Sequence, residues 1–439
     1  MRTDKTSIPG SNNYFLSISI IGMLFFIFGF VTWLNGSLIP FLKIACELNH
    51  TEAYLVTFAF YISYTVMAVP MSAVLQKTGY KNGMVIGLLA MTVGTLIFIP
   101  AAQTRIYALF LAGLFEMGGG LTILQTASNP YIVIIGPKES AAVRISFMGL
   151  ANKFAGILSP LLFTALILHG MEKFSDENLL LMNEVQKDAA FNELASRLIF
   201  PYIIMAVILL LLAAMIKFSP LPEIETESEN STNVKSNKTS VFQFPQLVLG
   251  AIALFFYVGV EVIAGDTVGM YGKTLGVSFF GKLTSYTMAF MVLGYLAGIA
   301  LIPRIIKQEK ALIISALTGF VLSAGVLLSS TTDDSISKIV FGWIGISPIP
   351  NSIFFLTLLG FSNAMVWPAI WPMALDGLGK FMKIGSAILI MGIAGGALLP
   401  LLYGFLANFS SPQFSYWILL PCYLFIFYYA TNGYKKRNW

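Results

Sequence analysis

Twelve apolar runs follow one another along this chain, each about 20 residues or longer and so able to cross roughly 30 Å of hydrocarbon as a helix. They begin near Phe15, Ala53, Gly83, Ile106, Ile145 and Ile199 and, after a break, near Leu247, Ser285, Leu312, Ile353, Ile384 and Tyr416. Helices suit such runs because every backbone polar group is satisfied inside the segment. The sequence therefore predicts an all-α polytopic membrane protein. The break, Ser219–Ser240, reads SPLPEIETESENSTNVKSNKTS and has no apolar periodicity. Its composition predicts a flexible linker. The expected domains are an N-terminal six-helix bundle over 15–218, a linker over 219–242 and a C-terminal six-helix bundle over 243–434.

Charge gives the orientation. Only 11% of the 439 residues are charged and 57% are hydrophobic, against about 25% and 45–50% in soluble domains. With the N-terminus inside, the inner loops hold Arg2, Lys5, Lys77, Lys81, Lys138, Arg144, Lys217, Lys307, Lys310, Lys435 and Lys436 among others, roughly twice the Lys and Arg of the outer loops. Both termini and the linker are thus expected in the cytoplasm. The net charge of +5 is spread over these loops and forms no nucleic-acid patch. Cys46 and Cys422 stand near opposite ends of the chain, and His50 and His169 are the two histidines. No metal site, cofactor site or Cys/His catalytic set is expected from them. No cleavable signal is expected either, because the first apolar run is too long and lacks a small-residue cleavage site.

The two halves repeat each other. Phe25-Phe26 and Gly29 recur as Phe255-Phe256 and Gly259, an offset of 230 that sets Gly36 opposite Asp266. Gly156-Ile-Leu-Ser-Pro160 recurs as Gly396-Ala-Leu-Leu-Pro400, Pro130 pairs with Pro368, and Gln125 pairs with Asn363. Matches in register and in the same span order point to a duplicated six-helix unit, hence two pseudo-symmetric bundles.

Polar groups at membrane depth must face protein or water. In the fourth span Gln125 and Asn129 are four apart, so a helix places both amides on one face, with Pro130 removing a donor just below. Helix–helix glue and a ligand site both fit this stripe. Ionisable residues at depth are Glu116, Lys153, Glu261 and Asp266, functional candidates by position. Spans four and five are antiparallel, which returns Lys153 to about the height of residue 124. Its expected partner is Asp266 or Glu261. Glu116 lies nine residues before Gln125, about 180° round the helix, and points away from the amides. Glu261 and Asp266 are about 140° apart on a regular helix and should not share a face. Gly259, Gly265 and Gly269 predict a bent or unwound seventh span.

Four stretches carry a resemblance: GFVTWLNGSLIPFLK (Gly29–Lys43), LTILQTASNPYIVIIGP (Leu121–Pro137), YVGVEV (Tyr257–Val262) and GSAILIMGIAGGALLPLLYG (Gly385–Gly404). They resemble the fucose/glucose–galactose permease branch of the major facilitator superfamily, over about Phe15 to Tyr434. The superfamily's loop signature between spans two and three survives as SAVLQKTGYK (Ser72–Lys81), with Gly79, Lys77 and Lys81 kept and Gln76 in the acidic position.

The resemblance implies the major facilitator fold and alternating-access uptake of a hexose, coupled to a proton or sodium ion, by a lipid-embedded monomer in the bacterial inner membrane. Fucose permeases of the branch carry an Asp in the first span and a Glu in the fourth. Here those positions are Gly36 and Gln125, neither of which titrates, so that pair cannot couple transport in this chain. Glucose–galactose members are more similar at the LQ-x-x-x-NP stretch. Lys153 falls where a related Asn lies in other members. A sugar site needs amides and carboxylates beside a flat aromatic surface. Asn363, Trp367 and Trp371, spaced by four, supply this in the tenth span, with Asn35, Tyr61, Tyr64 and Asn152 similar in kind. Alternatives are a non-translocating sugar sensor and an uncoupled facilitator. A membrane enzyme is disfavoured, since it needs catalytic groups clustered at one interface.

Overall fold

The computed structural model describes residues 11–134, 141–174, 178, 181–221, 239–302, 305–378 and 381–439. Most of the expected linker, 222–238, lies outside them.

Helices account for nearly all of the described chain. The first half contains α1 (Ser11–Trp33), α2 (Asn35–Ala45), α3 (His50–Thr104), α4 (Tyr107–Ile134), α5 (Ala141–Leu166), α6 (Glu184–Ser196) and α7 (Ile199–Phe218). A turn at Leu34 separates α1 from α2. Asn49 caps α3: its side chain accepts from Glu52 N–H at 2.9 Å while Glu52 accepts from Asn49 N–H at 2.8 Å, satisfying two otherwise orphaned donors. Gly79 breaks α3 into two arms at φ 75°, ψ 174°, a conformation open essentially to glycine alone. The retained glycine of the SAVLQKTGYK loop therefore makes the joint between spans two and three.

The second half contains α8 (Pro245–Val262), a π-helical turn (Ile263–Thr267), α9 (Val268–Thr274), α10 (Leu283–Leu301), α11 (Gln308–Leu328), α12 (Ser335–Phe341), α13 (Asn351–Asn363), α14 (Val366–Leu375), α15 (Met382–Met391), α16 (Gly395–Phe409) and α17 (Leu419–Thr431). Eleven segments among the described residues are long and apolar enough to cross a membrane. The arm of α3 ahead of Gly79 lies beside them as a further helical span.

Packing follows the small residues. The second arm of α3 lies along α4, where a Cβ on Gly87 would stand 2.7 Å from the Gly120 carbonyl, so the two backbones approach as closely as in other small-residue membrane interfaces. Helices α1, α3, α4, α5 and α7 pack among themselves, and α8, α10, α11, α13, α14, α16 and α17 do likewise. The main contacts that join the sets are α5 with α10, α3 with α16 and α15, and α2 with α9 and the π turn. Hydrogen bonds along this seam run from Asn408 Nδ2 to Thr51 Oγ1 (2.6 Å) and Ser37 Oγ to the Gly281 carbonyl (2.9 Å) at one end. Nearer the middle, Ser285 Oγ donates to the Ile157 carbonyl (2.7 Å).

Candidate functional site

The centre of the seam holds an ion pair. Lys153 on α5 reaches Glu261 on α8, Nζ to Oε1, at 2.8 Å, and the two residues are only 7% and 9% exposed. A buried ammonium needs a counter-charge and a buried carboxylate needs donors. The Tyr257 hydroxyl, one helical turn earlier, lies within electrostatic reach of the Glu261 carboxylate. Lys153 Nζ also lies 4.4 Å from the centre of the Trp33 ring, a cation–π contact that helps to replace lost hydration. Trp33 is wedged between Gly156 and Gly265, where any Cβ would strike the indole. Lysine thus finds Glu261, not Asp266, as its partner.

Aromatic surface adjoins the pair. Tyr257 and Trp367 have ring centroids 6.3 Å apart, and Trp367 stacks on Trp371 at 5.2 Å with 23° between planes. Asn363 does not continue this stripe on one regular helix. The tenth span breaks at Ala364–Met365, between α13 and α14, where the ring of Pro368 would meet the carbonyl four residues back. Asn363 Oδ1 accepts from the Tyr423 hydroxyl at 2.7 Å, while its buried Nδ2 has no partner.

The amide stripe is partly visible. Gln125 Nε2 donates to the Tyr64 hydroxyl at 3.1 Å, and Tyr64 stacks on Tyr61 at 6.2 Å. The side chain of Asn129 lies outside the described residues, although its backbone is helical. Asn35 is buried with an unpartnered Nδ2. Asn152 is turned toward α1, its Nδ2 3.4 Å from the Phe25 carbonyl. Glu116 is half-buried and has no ion-pair partner among the described residues.

The π turn changes the expected angle between the two acids of the seventh span. Its i to i+5 bonding widens the turn, so residues five apart fall closer to one face than on a regular helix, and Glu261 lies within electrostatic reach of Asp266. Asp266 itself is wholly buried. Gly36 packs directly on this turn, where a Cβ would stand 2.9 Å from the Gly265 carbonyl and 3.2 Å from Asp266 Cα.

Trp33 was not singled out from sequence, though it lies inside the Gly29–Lys43 stretch. Its signal was an indole at mid-span, just ahead of Asn35. Tyr257 was likewise readable as the residue one turn before Glu261.

Residues 21–388 match the model of the Major Facilitator Superfamily. A glucose/galactose transporter of Brucella abortus is 31% identical, over 98% of this chain and 100% of its own length. An L-fucose-proton symporter of Escherichia coli is 27% identical, over 96% and 93%. Among solved structures, the fucose:proton symporter of E. coli superposes with a TM-score of 0.71 at 25% identity, covering 95% of this chain and 98% of its own. An inward-open xylose transporter of E. coli shares the fold, with a TM-score of 0.67 at 13% identity and 96% of each chain covered.

Proposed function

The chain belongs to the Major Facilitator Superfamily, in its fucose and glucose/galactose permease branch, and from that premise we propose that it imports a hexose across the bacterial inner membrane, driven by a co-transported cation. The observation that carries this reading is the Lys153–Glu261 pair, a buried ion pair joining the two helix sets beside stacked indoles. Similarity to a glucose/galactose transporter over its whole length favours those two hexoses over fucose.

The moving units are 15–218 and 243–434, tied by the cytoplasmic segment 219–242, with both termini inside and one chain sufficient. The seam tied by Ser37, Thr51 and Asn408 is the outer one, so this state is shut toward the outside. Gln125, Asn129, Asn35 and Asn363 offer amides to hydroxyls, and Trp367 offers its face to the C–H surface of the ring. Lys153 and Glu261 contact the sugar when their bond to each other loosens. Asn152 braces α5 against α1. Of the acids, Asp266 and Glu261 lie on the seam and are the stronger coupling candidates; Glu116 ranks below them.

Proteoliposome uptake of labelled glucose, galactose and fucose, with and without imposed proton or sodium gradients, tests this. Accumulation above equilibrium under one gradient is expected. Equilibration without accumulation would make the protein an uncoupled facilitator, and binding without uptake would make it a sensor.

A further inference from the structure

The second half of the tenth span lacks the support that a continuous helix would give it. The break at Ala364–Met365 cuts α14 off from α13, and α14 carries two prolines of its own, Pro368 and Pro372. Proline has no N–H, and its ring crowds the carbonyl four residues back. Because Pro372 stands four residues after Pro368, the Pro368 carbonyl loses the N–H that a regular helix would aim at it.

Gln308 supplies a donor from another helix. It lies in the first turn of α11, which packs on α14, and its Nε2 donates to the carbonyls of both Pro368 and Ala369, each at 2.9 Å. The two hydrogens of one amide nitrogen match the two carbonyls. Met373 keeps the N–H that a helix aims at Ala369, so Pro368 is the carbonyl that depends on Gln308.

These bonds grip α14 away from its aromatic face. At about 100° per residue, Trp367 and Trp371 lie about 40° apart round the helix, and Pro368 and Ala369 lie roughly 80° and 180° from the middle of that stripe. The indole of Trp367 meets Tyr257 of α8 on one side, while α11 holds the flank and back. Other neighbours box the helix in. Any Cβ on Gly298 of α10 would strike the Met365 thioether at the break, and a Cβ on Gly250 of α8 would stand 2.6 Å from Ala374 Cβ. Such contacts limit where α14 sits, whereas the directional bonds of Gln308 limit how far it turns. Each Cα–Cβ bond turns with its helix, so rotation of α14 re-aims the stacked indoles.

We propose that Gln308 is a positioning residue for hexose binding: it replaces the donor that Pro372 removes, and so fixes the rotation of α14 and the plane that Trp367 offers to the sugar. It acts through α14 and not by contact with the ligand. The proposal rests on the hexose reading of the Trp367 face.

Circular dichroism and calorimetric titration of the purified full chain test it. Two stacked indoles couple their transitions and give a paired positive and negative band, assigned by its loss in Trp371→Phe. Gln308→Ala should weaken that band with no sugar present, lower the affinity for glucose and galactose by about three- to tenfold, the equivalent of a lost hydrogen bond, and raise the KM of uptake more than it lowers the maximal rate. Pro372→Ala returns an N–H to the Pro368 carbonyl, so in that background Gln308→Ala should cost much less in band and affinity alike. A band absent from the wild type or undiminished in Gln308→Ala, an unchanged affinity, or an equal loss in both backgrounds overturns the positioning role. If Pro372→Ala fails to fold, the comparison of band and affinity between Gln308→Ala and the wild type remains decisive. A band that depends on Gln308 in a protein that binds neither hexose would sink the transport reading and leave the hold of Gln308 on α14 standing.

Discussion

Lys153 Nζ and Glu261 Oε1 are 2.8 Å apart although 108 residues separate them in sequence. The bond ties α5 to α8, one helix from each set, so it must loosen whenever the two sets move apart at this level. Breaking a buried pair by deleting one partner costs about 3–5 kcal/mol, because the other charge is left desolvated and alone.

Lys153→Met and Glu261→Gln should each abolish gradient-driven uptake. Their stabilities should differ in an informative way. Lys153→Met strands a carboxylate and should lower the melting temperature in detergent, whereas Glu261→Gln strands an ammonium still covered by Trp33. The double variant should recover most of the melting temperature of the wild type and none of its accumulation. A double variant no more stable than either single variant would show that the pair was not the source of the loss.

Trp367→Leu should weaken hexose binding by about one to two orders of magnitude, or about 1.4–2.8 kcal/mol. Trp367 is half-buried, stacked on Trp371 and held by the tilted ring of Tyr257, so its plane is set before a ligand arrives. Isothermal titration with glucose and galactose checks this. Unchanged affinity would make the indole a packing residue.

Most of the architecture was legible because apolar length is a one-dimensional signal. The starts read near Phe15, Ile106, Leu247 and Ile353 fall within a few residues of α1, α4, α8 and α13. What escaped was set by side chains meeting across the seam. Spacing could offer Lys153 two carboxylates but could not choose Glu261. Regular-helix angles separated Glu261 from Asp266 because they contain no π turn, and they aligned Asn363 with Trp367 because they contain no break at Ala364–Met365. Trp33 stood out only once Gly156 and Gly265 were seen to make room for its ring.

Acid should loosen the segment between α11 and α12. The Asp333 carboxylate accepts from the Ser335 hydroxyl at 2.8 Å, from Ser335 N–H at 3.1 Å and from Asn351 Nδ2 at 2.7 Å, which holds it below the usual carboxylate range. A depressed folded value means that the contribution is complete above the ordinary carboxylate range and is lost as pH falls through the folded value. Hydrogen exchange of the Ser335 and Ile336 amides should rise on acidification beyond the intrinsic trend in the wild type, and should be flatter with pH in Asp333→Asn.

Gly36→Ala should hold the outer seam open. The position carries an Asp in fucose permeases of the branch, so a side chain there is compatible with the fold when its surroundings allow it. Here the added Cβ would strike Thr284 Oγ1 and stand 2.9 Å from the Gly265 carbonyl. Thr284 cannot simply rotate away, because its hydroxyl satisfies that same carbonyl at 2.8 Å, and a buried acceptor left unmade costs about 1–3 kcal/mol. Moving α2 away from the π turn relieves both conflicts together, and that is the motion which opens the seam. Spin labels on α2 and α9, at Lys43 and Lys273 in a background without Cys46 and Cys422, should report longer separations in Gly36→Ala than in the parent. A distance distribution identical to the parent would mean that the helices absorb the methyl group locally and that Gly36 does not control closure.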